Sequence, residues 1–348
     1  MLIRIVSRLS SRPFTLRYFR VHHSIRLILA AAIVFFISRS KLVAQQVPGE
    51  ISRQTVELFD AIRSGSADNL QKALSNGSNA NDSMHGYSAL MAATLSGSID
   101  QMKILIDRGA NVNFVAGDQT TSLWLAVPDR EKTRLLLDHG ADATHAIRGF
   151  GILVKLALMP GTTDLMQLLI EHGADPLHSA PDNMLMYNAT TSGDTAIVRM
   201  LISRKISIND STSFGDYPLV AALMYRNSDM VKMLVDLGAD VNVSPHGYFL
   251  EAFNGFTPLM YAAVMDDKKS FYYLLSHGAN PNARNYRGHT ALMLLQQSEF
   301  DDPDMTTALI NRGADPLIKN IAGLTALDFA MQKGNTQSVA ILKKYIRP

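Results

Sequence analysis

The sequence of 348 residues contains no cysteine. This absence excludes disulfide frameworks, thiolate zinc sites, iron–sulfur clusters, thioether-attached haem and cysteine nucleophiles. It also means that cysteine usage gives no information about the redox compartment in which the protein works. The apolar fraction is 47%, which excludes a disordered chain and is enough for a sizeable buried core.

Acidic side chains are missing from residues 1–49, which carry eight lysines and arginines. Residues 50–348 carry the remaining 25 basic side chains against 31 acidic ones, so the body of the protein has a formal charge of −6. Non-specific affinity for nucleic acids comes from lysine and arginine side chains that displace counterions. We therefore expect the body not to bind nucleic acid.

The apolar run near the N-terminus, residues 27–37, is short, since only twelve uncharged residues separate Arg26 from Arg39. Twelve helical residues cover about 18 Å, whereas the hydrocarbon core of a bilayer is about 30 Å thick. The length is typical of a secretory signal with a basic region before it, and Ala44 supplies a small residue for cleavage. Two features count against a signal peptide: Arg39 and Lys41 follow the apolar run, and the basic region before it is long.

Residues 1–48 are therefore predicted to be a leader that is either a signal peptide or a membrane anchor, with residues 24–38 as the segment that would contact a membrane. The expected location is exported, periplasmic or membrane-anchored. A mitochondrial transit peptide is the alternative, because residues 1–26 are rich in arginine and serine and free of acidic side chains.

The rest of the chain is an internal repeat, marked by the string Gly-Ala-Asp or Gly-Ala-Asn. Its glycines are Gly109, Gly140, Gly173, Gly238, Gly278 and Gly313. A degenerate copy begins at Gly77, and Lys205 takes the glycine position in another. Successive copies are 32, 31, 33, 32, 33, 40 and 35 residues apart, which gives a period close to 33.

A second string precedes the first by about 22 residues, and its clearest copy is Thr257-Pro258-Leu259-Met260. Related copies begin at Ser88, Tyr217, Thr290 and Thr325. With these two motifs in phase, the chain resembles the ankyrin repeat family, whose units start a first helix with T-P-L-H and end a second helix with G-A-D. The resemblance implies an all-α solenoid of nine helix pairs with finger loops, in a domain over residues 49–348.

Each motif also has a physical basis. Thr257 is placed to cap a helix, and Pro258 fits the first helical position, where its missing N–H costs nothing. Gly278 is placed just after a helix, where the left-handed backbone conformation favours glycine. Because no helix pair can bury its own apolar stripe, neighbouring pairs are expected to stack and share a continuous core.

Several units depart from the family pattern. At the position where the family has histidine, this chain has methionine at 91, 260 and 293, tryptophan at Trp124 and lysine at Lys155. Pro128 predicts a shortened first helix and a tight turn in the third unit. The fourth and fifth units, near residues 152–157 and 184–189, lack both threonine and proline and are identified mainly by phase.

The residues that could bind a metal or a phosphate group are better explained by structural roles. His139, His172 and His277 each precede a repeat glycine, where a histidine interacts with the last carbonyls of a helix. His145 and His178 are predicted to be neighbours in adjacent units, too far apart to share one zinc ion. Asp301, Asp302 and Asp304 lack the glycine and glutamate of a calcium loop and favour a turn or helix cap. Gly149-Phe150-Gly151 is an isolated G-x-G with no strand expected before it. We predict no catalytic residue, metal or cofactor.

The resemblance implies a non-catalytic scaffold that binds another protein. The candidate contacts are finger-tip residues just before the start of each first helix and residues further along these helices. A longer finger is expected between Val243 and Asn254, from the 40-residue spacing. Its aromatic residues either fold back to cover the neighbouring finger or form a further contact with a partner. The predicted partner-binding residues are Tyr87, Asp216, Tyr225, Tyr248, Phe249, Phe256, Met265 and His289. The alternative is a regulatory or accessory subunit of an enzyme, or an enzyme with an unrecognised hydrolytic or redox site.

Overall fold

The computed structural model describes residues 51–180, 182–245, 255–298 and 301–345. The predictions for the leader, including cleavage after Ala44, fall outside these residues. Among the described residues, no helix combines the length and apolar character needed to cross a membrane. The chain divides into two compact units at the boundary between Ala141 and Asp142.

The described part of the first unit contains three helix pairs and one β-hairpin. Its elements, in chain order, are α1 (Arg53–Arg63), α2 (Ala67–Ser75), β1 (Ser83–Met84), β2 (Tyr87–Ser88), α3 (Ala89–Ser96), α4 (Ile99–Asp107), α5 (Ser122–Ala126) and α6 (Arg130–Asp138). Strands β1 and β2 are antiparallel, with Met84 opposite Tyr87.

Within residues 142–348, the segments that the structure describes contain six helix pairs and a second hairpin, in which Ile147 lies opposite Phe150. Its elements are β3 (Ala146–Ile147), β4 (Phe150–Gly151), α7 (Ile152–Ala157), α8 (Thr163–Glu171), α9 (Met184–Ser192), α10 (Thr195–Ser203), α11 (Pro218–Met224), α12 (Ser228–Asp236), α13 (Pro258–Val264), α14 (Lys268–Ser276), α15 (Ala291–Gln296), α16 (Pro303–Asn311), α17 (Ala326–Lys333) and α18 (Thr336–Lys343). The prediction of a helical ankyrin-type fold is confirmed, with the two short hairpins as its only strands in the described residues.

Stacking within each unit follows the predicted pattern. Each first helix packs against the first helix of the next pair, as α3 does on α1 and α13 does on α11. The leucine of the second string is buried by this stacking, and Leu90, Leu153 and Leu259 are all fully buried. Removing such apolar surface from water is the main source of stability in a repeat array.

The helix start and stop signals operate as predicted. The Thr257 side chain accepts a hydrogen bond from the backbone N of Met260, and Pro258 is the first residue of α13. Gly278 follows α14 with a φ of +86°. In this conformation the backbone N of Ala279 reaches back to the carbonyl of Leu274 at 3.1 Å and closes the helix end.

Lys205 adopts the glycine conformation although it has a side chain. Its φ is +65°, and the backbone N of Ile206 donates to the carbonyl of Leu201 at 3.1 Å. This bond is equivalent to the one between Ala279 and Leu274, so α10 ends with the same geometry as α14. A residue with a side chain in the left-handed backbone region costs about 1–2 kcal/mol, and the helix pair α9–α10 carries that strain.

Two details of the sequence interpretation are corrected. Helix α7 is capped by Gly151, so Val154, and not Lys155, occupies the position of the family histidine. Gly149 does follow a strand, β3, but it forms the turn of a hairpin and leads into no phosphate-binding helix. The shortened first helix before Pro128 is confirmed, since α5 has five residues.

A ladder of asparagine side chains joins successive pairs and was not predicted. Each ladder asparagine lies four residues after a helix-ending position and donates from Nδ2 to the carbonyl of the next repeat glycine. In the first unit Asn81 donates to Gly109 at 2.8 Å, and Asn113 donates to Gly140 at 2.9 Å. In the second unit the same role is taken by Asn209, Asn242 and Asn282. The positions of Thr144 and Leu177 interrupt the ladder.

Candidate protein-binding surface

The loops that lead from the ladder into a first helix carry several of the predicted contact residues. We call these loops fingers; the described ones are residues 82–88 and 114–121 in the first unit, and 145–151, 211–217, 283–290 and 318–325 in the second. Backbone hydrogen bonds close their tips, as in Asn285 N to His289 O at 3.0 Å and Asn320 N to Leu324 O at 2.9 Å. The finger that precedes α13 lies largely outside the described residues.

Tyr87 is half-buried on β2 and is tied to the neighbouring finger. Its hydroxyl donates to Asp118 Oδ2 at 2.8 Å. Burial, this hydrogen bond and the negative charge of Asp118 raise the pKa of Tyr87 to about 12. The side chain therefore fixes two fingers of the first unit relative to each other and keeps part of its ring accessible.

Asp216 holds the finger 211–217 together through its backbone. Its carbonyl accepts from Thr212 N at 2.9 Å, and its own N donates to Thr212 Oγ1 at 3.3 Å. The carboxylate is half-exposed, whereas Phe214 at the tip of the same finger is 48% exposed. The larger contact surface on this finger therefore belongs to Phe214, which the sequence reasoning did not select.

The predicted first-helix residues differ in their accessibility. Tyr225 and Met265 are the C-caps of α11 and α13, and both are half-exposed. Phe256 is buried and packs edge-on against Tyr261, with ring centroids 5.4 Å apart. Phe256 thus supports the start of α13 and presents little surface to a partner.

His289 is half-buried between its finger and α17. Its ring meets Phe329 edge-on with centroids 5.4 Å apart, and its backbone N donates to Asn285 Oδ1 at 2.9 Å. Burial, and then the positive charge of Arg287, lowers the pKa of His289 below its usual value. Both effects disfavour the charged imidazolium, and the ring contacts Phe329 as an aromatic surface.

Tyr248 and Phe249 lie outside the described residues, so their role stays a prediction. The described ends of their segment are joined, because Gly255 N donates to the carbonyl of Pro245 at 3.0 Å.

Large apolar side chains are exposed at three finger tips of the second unit. Phe214, Tyr286 and Ile321 are 48%, 58% and 77% exposed. Each lies one or two residues before the glycine of its finger, and that position was the signal that could have identified them. Exposed apolar groups on a rigid backbone are the usual material of protein-binding surfaces.

An open groove of about 540 Å³ lies in the first unit, where α5 ends early. Leu95, Leu125 and Pro128 supply its apolar wall. The ammonium group of Lys132 lines it as well and donates to the carbonyls of Thr94 and Gly97 at 2.7 and 3.2 Å. Lys132 therefore closes the carbonyl end of α3 and leaves the apolar wall open.

The histidines before repeat glycines have the predicted structural role. His139, His172 and His277 are C-caps, and Nδ1 of each lies 2.8 to 3.0 Å from the carbonyl four residues earlier. His178 is hydrogen-bonded to Asp175 at 2.5 Å, which lowers the pKa of that carboxyl group. In the described part of the chain, no three histidine, aspartate or glutamate side chains converge as a metal site would require.

The acidic residues near Pro303 act as helix caps, as predicted. Asp302 accepts from Met305 N at the start of α16 and pairs with Lys268 at 2.5 Å. Asp301 accepts from the backbone N atoms of Gln337 and Ser338 at the start of α18. Burial lowers the pKa of the Lys155 amine on α7 to about 8.

The model for ankyrin repeats, which describes three successive copies, matches residues 58–147, 153–245, 185–285 and 244–320. The chain belongs to the ankyrin repeat family. This assignment agrees with the stacked helix pairs, the glycine-terminated second helices and the finger loops described above.

Several curated proteins are similar to parts of this ankyrin repeat chain. An ankyrin repeat protein of Acanthamoeba polyphaga mimivirus is 30% identical over 107 residues, which is 31% of this chain and 13% of the viral protein. The human Ankyrin repeat and SOCS box protein 11 is 31% identical over 109 residues, 31% of each chain. A fowlpox virus ankyrin repeat protein is 31% identical over 139 residues, 37% of this chain and 66% of the viral one. This chain thus spans under a third of the first two relatives.

Ankyrin repeats mediate interactions between proteins, and proteins built from them are generally non-catalytic. The repeat domain of this chain is accordingly a protein-interaction scaffold.

Proposed function

We propose that this chain is a non-catalytic scaffold that binds one or more proteins through its fingers and the exposed ends of its first helices. The observation that carries the proposal is the set of exposed apolar tips, Phe214, Tyr286 and Ile321, on fingers of the second unit. Half-exposed Tyr225 and Met265 extend the candidate surface onto the first helices.

Rigidity of the backbone supports this proposal. The ladder asparagines and the closed finger tips hold the candidate contacts before any partner arrives. Less conformational entropy is then lost on binding than for a flexible loop, so that more of the contact energy is available as affinity.

Affinity capture tests the proposal. The chain would be used as bait in membrane and soluble extracts of its source, and captured proteins would be identified by mass spectrometry. We expect at least one protein to be captured in near-stoichiometric amount. Capture of no protein above the level of an unrelated ankyrin repeat bait would contradict the scaffold proposal.

We further propose that residues 1–48 direct the scaffold out of the cytoplasm or onto a membrane. The basic, acid-free leader and its apolar segment at residues 27–37 support this part of the proposal. N-terminal sequencing of protein recovered outside the cytoplasm should begin near Gln45. Recovery of all the protein in the cytosol with Met1 intact would contradict export, and recovery inside mitochondria would favour the transit-peptide alternative.

A further inference from the structure

Fingers 283–290 and 318–325 form one continuous surface, which we call the C-terminal finger pair. The backbone N of Ile321 donates to the carbonyl of Arg287 at 3.1 Å, and Arg284 Nη2 donates to the carbonyl of Lys319 at 2.7 Å. Gly288 makes this approach possible, because a Cβ atom there would lie 3.1 Å from Asn320 Cα and from Ile321 N. The two fingers are therefore fixed to each other by one bond between backbone groups and one from a side chain to the backbone.

Two large apolar side chains are exposed on this surface. Of the large apolar side chains in the described residues, Ile321 is the most exposed, at 77%, and Tyr286 on the adjacent finger is 58% exposed. A monomeric protein gains nothing from placing these groups in water, whereas burial against a partner removes their apolar area from solvent.

The charge of the finger pair is opposite to that of the body around it. Arg284, Arg287 and Lys319 are exposed, and the segments 281–290 and 316–325 contain no carboxylate. Hydrogen bonds from Thr325 lower the pKa of Asp328 most. The positive charge of Lys319 lowers it as well, by a smaller amount. The body as a whole has a formal charge of −6, so this basic surface is a local exception.

Arg284 is also oriented before binding. Its hydrogen bond to the Lys319 carbonyl uses one guanidinium nitrogen, so that the remaining N–H groups of the exposed side chain can meet a carboxylate. Pre-orientation matters because ordering a long side chain on binding costs conformational entropy.

We propose that the C-terminal finger pair binds an acidic peptide segment of a partner protein, with a large apolar side chain against Tyr286 and Ile321 and carboxylates beside Arg284, Arg287 and Lys319. This inference rests on the proposed scaffold function and names the chemistry of one partner. A nucleic acid is disfavoured as occupant, because three cations in an acidic body give little counterion release.

The test uses a phage-displayed library of random dodecapeptides and the full chain. The library is first depleted on the double variant Arg287→Glu/Lys319→Glu, which keeps the basic leader and so removes peptides that bind there. Peptides then selected on the unchanged protein should carry several Asp or Glu residues around a large apolar residue. Their dissociation constants should rise at least about tenfold on the double variant, and should also rise on Ile321→Ser.

Arg199→Glu, on the exposed face of α10, is a charge-reversal control away from the finger pair and should leave the dissociation constants unchanged. Recovery of no peptide, or of neutral or basic peptides, would overturn the proposal. An equal loss of affinity on Arg199→Glu, or tighter binding of a twelve-residue oligothymidylate than of any peptide, would overturn it too. If the chain captures a partner from extracts while these peptide tests fail, the scaffold proposal stands and this inference alone is wrong.

Discussion

Asn282 joins two successive repeats by donating from its Nδ2 to the carbonyl oxygen of Gly313 at 2.7 Å. Its Oδ1 accepts from the backbone N of Asp315, also at 2.7 Å. One side chain thus satisfies the carbonyl that follows α16 and the first N–H of the next loop, and the fingers beyond it take their position from this bond.

Replacing this asparagine should weaken the joint. Asn282→Ala removes two hydrogen bonds that each contribute about 0.5–1.5 kcal/mol, so we expect a loss of about 1–3 kcal/mol in the free energy of unfolding. Urea unfolding followed by circular dichroism measures this change. Asn311→Ala at the exposed end of α16 is the control and should leave the urea midpoint nearly unchanged. Equal midpoints for the two variants would show that the ladder does not contribute to stability.

The strained end of α10 gives a stabilising prediction. Lys205 has a φ of +65°, so Lys205→Gly should raise the free energy of unfolding by about 1 kcal/mol. Gly173→Val, at the equivalent position after α8, should lower it by at least as much, because Gly173 has a φ of +97°. An unchanged denaturant midpoint for Lys205→Gly would contradict the strain argument.

Close packing between fingers can be separated from backbone strain with two glycines. Gly288 and Gly323 have φ values of +74° and +78°, yet a Cβ atom at Gly288 meets the next finger and one at Gly323 meets nothing within 4 Å. Both alanine variants should lose about 1 kcal/mol from strain, and Gly288→Ala should lose about 1 kcal/mol more from overlap. Thermal unfolding of both variants measures the difference. Equal losses would show that the fingers can move apart at no cost.

The tie between Tyr87 and Asp118 predicts a dependence on high pH. A pKa of about 12 in the folded state exceeds the ordinary value of 10 for tyrosine, so ionisation of Tyr87 is disfavoured by folding. Its stabilising effect is then complete below pH 10 and is lost as the pH rises from 10 through 12. The difference in absorbance at 295 nm between the protein and Tyr87→Phe should show a transition near 12. A transition near 10 would mean that the hydrogen bond is absent in solution.

The repeat fold could be predicted from the sequence because the signals at Thr257, Pro258 and Gly278 are local and recur at a fixed period. The ladder could also have been predicted, since asparagine recurs four residues after five of the positions that end a second helix. The irregular fourth and fifth helix pairs, α7–α8 and α9–α10, could only be identified by their phase in the repeat. There, Asn183 reaches the carbonyls of Ser207 and Asp210, a long-range bond that no local pattern reveals.

The candidate surface was only partly predictable. Helix phase placed Tyr225 and Met265 on first helices, where they are half-exposed C-caps, and their role as partner contacts stays a prediction. It could not distinguish buried Phe256 from exposed Tyr286, because the burial of a finger residue depends on how closely the next finger approaches. The prediction for Tyr248 and Phe249 still rests on the sequence.

If this ankyrin repeat chain binds proteins through its fingers and first helices, substitutions on that surface should weaken binding. The measurement is the affinity of a captured partner for surface variants of the chain. The partner would be titrated against the unchanged chain, the double variant Tyr225→Ala/Met265→Ala, and Arg199→Glu as a control on a second helix. We expect the double variant to weaken binding by more than about 2 kcal/mol while its melting temperature is unchanged, and the control to bind normally. Unchanged affinity for the double variant together with a loss for the control would contradict the account.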